Sequence, residues 1–109
     1  MQIKLRIGGK EKKFSVPYFS MWVFRRSLEL AEEIDLDEVG PQEVDVLTEF
    51  IVAAFEDQFT IEEFLRGISK EEGMNLAGKI LSMCINNITE QQYDEAMEKL
   101  QKGEEEAGK

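Results

Sequence analysis

The chain has 109 residues, 42% of them apolar, one cysteine, no histidine and a net charge of −10. That length suits one domain with a core of its own. The lone Cys84 excludes an internal disulfide, the missing histidine removes the commonest general base and metal ligand, and the acidity disfavours nucleic acid.

Ile3, Leu5 and Ile7 alternate along one strand face, and Phe14 and Val16 share a second. Gly8 and Gly9 lie between them, so residues 2–16 read as a β-hairpin. A four-residue loop would set Leu5 opposite Phe14, and a two-residue Gly8–Gly9 loop would set it opposite Lys12. Mutual burial favours the longer loop. Pro17 stops the pairing, and Ser20 is an N-cap for a helix whose predicted core stripe is Val23, Phe24, Ser27, Leu28, Ala31 and Ile34.

Asp35 to Gly40 is an acidic linker, and Pro41 suits a first helical position. The helix after it carries Val44, Leu47, Phe50, Ile51, Ala54 and Phe55 on one face, with Val46, Val52 and Ala53 outside it, so it is the expected central helix. Three capping boxes then open three helices: Thr60 with Glu63, Ser69 with Glu72, and Thr89 with Gln92. The expected fold is mainly α (α+β), an N-terminal hairpin packed on four to five short helices over residues 1–102. Residues 103–109 are expected to form a disordered acidic tail.

No constellation of a reacting centre emerges. Asp35 and Asp37 open like a calcium loop, but Val39 and Val46 stand where two of its ligands belong. Gly8, Gly9 and Lys10 lack the spacing of a phosphate loop. Adjacent glutamates lie in solvated turns, and Cys84 falls on an apolar stripe without a base nearby. The expectation is a non-enzyme with no cofactor and no metal. No segment approaches the ~20 apolar residues of a membrane span, and no signal peptide is expected.

Binding is the remaining class. Trp22 falls on the polar side of its helix, with Arg26 one turn on. It is either an exposed hot spot that Arg26 can stack on, or a ring packed under the hairpin or beside Phe19. Val46, Val52 and Phe59 form a second candidate patch, open to a partner or covered by another helix of the same chain. Tyr93, Met97 and Leu100 form a narrow stripe on the last helix, docked on the core or presented to another chain. Charge is uneven. Residues 1–26 hold seven Lys/Arg against Glu11, while residues 27–72 hold two against fifteen acids. Such a bipolar body can steer a basic partner or associate weakly head to tail.

Two blocks carry a family resemblance. The first is Ile3, Leu5, Ile7, Gly9, Phe14 and Pro17, followed by Arg26, Leu28, Glu29, Leu30 and Glu32. The second runs Phe50, Ile51, Val52, Phe55, Gln58, Phe59, Thr60, Glu63, Phe64, Gly67 and Ile68. Over residues 2–88 the chain resembles the tail assembly chaperones of long-tailed (siphovirus-type) phages and prophages of Gram-positive bacteria. The resemblance implies a small helical protein of the host cytoplasm, absent from the mature virion. It implies that the protein binds the tape-measure protein, keeps it soluble and helps recruit tail tube subunits. A longer frameshifted form is common in the family. The alternative reading is an acidic inhibitor that mimics DNA, or another small protein-binding adaptor.

Overall fold

The structure is a computed structural model that describes the backbone of residues 1–107 and the side chains of residues 1–100. Among the described residues two strands precede five helices: β1 (Gln2–Ile7), β2 (Lys10–Ser15), α1 (Met21–Glu33), α2 (Pro41–Ala54), α3 (Ile61–Gly67), α4 (Lys70–Ile85) and α5 (Glu90–Ala107). This is the α+β architecture expected. The backbone of α5 continues past Gly103, where the tail was expected to begin, and residues 108 and 109 lie outside the described residues.

The hairpin closes through two residues. Gly8 and Gly9 have φ of +60° and +78°, the positive values that a tight hairpin turn needs and that glycine adopts freely. The register pairs Leu5 with Lys12 and Ile3 with Phe14, which corrects the longer loop expected from burial. Leu5 is buried all the same, because α3 covers it and no apolar neighbour on β2 is required. Met1 and Val16 exchange both backbone hydrogen bonds, at 2.9 and 3.0 Å. Antiparallel pairs alternate between bonded and non-bonded, so Ile3, Leu5 and Ile7 also face bonded partners. Hence the amides and carbonyls of Glu11, Lys13 and Ser15 point away from β1. Gln58 Nε2 confirms the phase by donating to Ser15 O at 2.9 Å.

Helix starts follow the capping residues. Ser20 Oγ accepts from the Val23 amide, and Ser69 Oγ from that of Glu72. Thr60 and Thr89 form reciprocal boxes with Glu63 and Gln92. Gly40 has no side chain to return the bond it donates to Glu43, so α2 starts on half a box with Pro41 at N1. Two helices stop in Schellman turns. At the end of α2, Glu56 donates to Ala53 O and Asp57 to Val52 O; after α4, Ile88 donates to Met83 O. Glu56, Asp57 and Asn87 hold positive φ there, a conformation that Asn and Asp take more readily than Glu.

The core lies where the hairpin and α1 to α4 meet, with Leu5, Leu30, Phe50, Ile51, Phe55 and Ile80 fully buried. Gly67, the last residue of α3, abuts β1. A Cβ there would lie 2.9 Å from Arg6 O and 3.2 Å from Arg6 N. Elsewhere in a helix Gly→Ala gains up to about 1 kcal/mol; here the added methyl meets backbone, and overpacking of that kind costs about 1–3 kcal/mol. Gly67→Ala is therefore expected to lower the melting temperature, and an increase on calorimetry would contradict this close approach.

Candidate partner-binding surface

Helix α1 carries two apolar seams. Val23, Ser27 and Leu30 are buried, and Ile34 just past the helix packs against the core. The Ser27 hydroxyl has no water to reach, so it donates to Val23 O at 2.7 Å. Cys84 packs against this seam from α4. Burial pushes its thiol upward, and a hydrogen bond with Ser27 only partly opposes that.

The second seam faces solvent. Met21 is 77% exposed, Phe24 39% and Leu28 44%, at spacings of three and four residues that align them along the helix. Ala31 continues the line and is exposed. Trp22, 50% exposed, lies on the opposite flank of the exposed face, with Arg25 and Glu29 between it and the seam, and Tyr18 is exposed just before the helix. Ion pairs rim the Trp22 side: Arg25–Glu29 at 2.6 Å, Arg26–Glu29 at 3.3 Å and Arg26–Glu33 at 3.7 Å. An apolar strip with a neutralised polar rim is the anatomy of a protein interface.

A cleft of about 260 Å3 opens between α2, α3 and the start of α4. Val44, Leu47, Ile51, Phe64, Leu65 and Met74 line it, with Ser69 and Lys70 at the edge. Val44 and Leu65 are part exposed, so the cleft offers apolar wall to an incoming side chain.

The family model described as "phage tail chaperone protein" matches residues 1–109. The chain belongs to that family. The match takes in the acidic last helix, beyond the residues 2–88 that carry the resemblance. No curated protein and no solved structure matches the chain.

The tail chaperone places its predicted binding residues unequally. Trp22 is at the surface, and Phe19 rather than Trp22 packs on the core. Arg26 does not stack on Trp22; its guanidinium is held by Glu29 and Glu33. Val52 and Phe59 are buried and Val46 packs against the core, so this patch is interior to the protomer, covered by its own helices and hairpin. Tyr93 is half-buried, whereas Met97 and Leu100 are exposed. Missed altogether were Met21, Phe24 and Leu28 as one surface. Phe24 and Leu28 were grouped with the core stripe, although the spacing Val23, Ser27, Leu30, Ile34 forms a complete seam without them.

The chaperone's α5 is held to α4 by Lys79, whose ammonium lies 3.0 Å from both Glu90 and Asp94 and 5.9 Å from the Tyr93 ring centre. Burial lowers the pKa of Lys79, but hydrogen bonds and charge from Asp94 and Glu90 outweigh it and raise the pKa above the ordinary 10.5. With a raised folded value, the stabilisation is complete below pH 10.5 and is lost as pH climbs through the folded pKa. Lys79→Met should loosen α5 without unfolding the body. Hydrogen exchange in residues 90–100 should quicken roughly fivefold, as expected for about 1 kcal/mol of partly exposed ion pairing. Unchanged exchange would show that Tyr93 packing alone holds the helix.

Proposed function

We propose that this chaperone binds the tape-measure protein transiently in the host bacterial cytoplasm, keeps it soluble and helps recruit tail tube subunits, without making or breaking a bond. One observation carries the reading: the solvent-facing seam Met21, Phe24 and Leu28, with Trp22 exposed on the other flank, on a helix whose other seam already fills the core. A long helical client exposes apolar stripes until a tube encloses it. Such a client suits an open strip that takes many helical surfaces, because methionine repacks readily and aromatic rings supply large contact area. A net charge of −10 keeps the loaded complex apart from its neighbours.

Co-expression tests this directly. The cognate tape-measure protein should move from the pellet to the soluble fraction when the chaperone is present, and the complex should survive high salt because apolar contacts dominate it. An inhibitor that mimics DNA would instead release its target as salt rises. The carboxylates of Glu29, Glu33, Glu62, Glu90 and Asp94 are taken up in ion pairs, which leaves fewer of them for such mimicry.

A further inference from the structure

We propose that the outer edge of β2 is a second docking site, one that adds an extended acidic segment of a protein partner as a third strand. Two independent features of the same strand lead there. The first is an open main-chain edge. From the hydrogen-bond phase of the hairpin, the amide and carbonyl of Glu11 and of Lys13 point outward, and nothing else among the described residues pairs with them. Residues 10–13 are all exposed, so a strand can approach without displacing any element.

The second feature is unspent positive charge. On the helices Arg25, Arg26, Arg66 and Lys79 are each committed to carboxylates, and only Lys70 and Lys99, far apart in the chain, have none within 4.0 Å among the described residues. On the hairpin, Arg6, Lys10, Lys12 and Lys13 have no carboxylate within 4.0 Å among the described residues, and Lys4 reaches Glu11 only at 4.0 Å. The register also sets Lys4 directly opposite Lys13, a like-charge pair that costs stability in a sheet. In a chain of net charge −10, four of the cations that lack a carboxylate are clustered on one hairpin.

The occupant follows from both. Main-chain pairing selects an extended segment over a helix, and lysines at 10, 12 and 13 select acidic side chains along it. The same lysines oppose pairing between the β2 edges of two copies, since like charges would meet across the new ladder. The site is separate from the α1 strip and does not depend on which tail protein that strip holds.

The test uses the full chain and a seven-residue peptide alternating glutamate with valine or threonine, with the lysine counterpart as control. The acidic peptide should bind more tightly than the basic one, and the Glu11 and Lys13 amides, which point outward without a partner among the described residues, should become protected. Lys13→Pro removes an outward donor without touching the ladder to β1, and proline is tolerated on such an edge. It should weaken the peptide about fivefold or more, the worth of one main-chain hydrogen bond. Lys10→Glu with Lys12→Glu should reverse the preference between the two peptides. No binding, equal binding of the two peptides, or protection confined to residues away from β2 would each overturn the proposal. The amide protection is read on the unmodified chain, so the result stands even if Lys13→Pro disturbs the hairpin.

Discussion

Phe59→Ala should come close to unfolding the chaperone. Its ring is 3% exposed and touches three others: Phe14 of β2 edge-on with centroids 5.0 Å apart, Phe55 at 5.8 Å, and Phe64 of α3 stacked at 6.0 Å. One side chain thus joins the hairpin, the end of α2 and α3. Truncating a buried phenylalanine costs about 3–5 kcal/mol, and a whole domain holds only about 5–15 kcal/mol. The melting temperature followed by circular dichroism should fall by at least about 12 °C, at roughly 4 °C or more per kcal/mol for a domain near this size. Phe59→Leu keeps much of the volume and should lose far less. A drop of only a few degrees for the alanine variant would mean that the four rings do not form the joint between hairpin and helices.

The second large effect is on binding and leaves the fold alone. Replacing Phe24 and Leu28 by Ser and Trp22 by Ala strips most of the apolar surface from the exposed face of α1 and leaves only Met21 of the seam. None of the three is buried, so each should alter stability by about 0.5 kcal/mol or less. If two of them act as hot spots at about 2 kcal/mol each, the affinity for the tape-measure protein should fall by more than about a hundredfold. The variant should lose at most about 1.5 kcal/mol, roughly 6–12 °C in melting temperature, and fail to keep its client soluble. A collapse of stability with binding retained would reassign the seam to the interior.

These two experiments divide along the line between what the chain reveals locally and what only packing reveals. Every helix start was legible, because Ser20, Thr60, Ser69 and Thr89 accept from amides three residues on and Pro41 presets φ at the first position of α2. The hairpin was legible too, but its register was not. Leu5 needed an apolar neighbour, and the sequence offered Phe14; the neighbour is α3, brought against β1 by Gly67. Phe59 stands in the turn between α2 and α3, outside any helical period, so nothing local distinguishes its burial from a surface role. The faces of α1 were blurred because two seams lie side by side and read as one wide stripe. The docking of α5 through Lys79 joins residues on two helices and is invisible to periodicity.

Trp22 is the chain's only tryptophan, so its fluorescence reports on the α1 strip alone when the client segment carries none. Titrating the chaperone with a tryptophan-free stretch of tape-measure protein should shift its emission to shorter wavelength as water leaves the half-exposed ring, and the shift should persist in high salt. Saturating binding with emission unmoved would place the client elsewhere on the molecule and contradict the assignment of α1 as the surface that holds it.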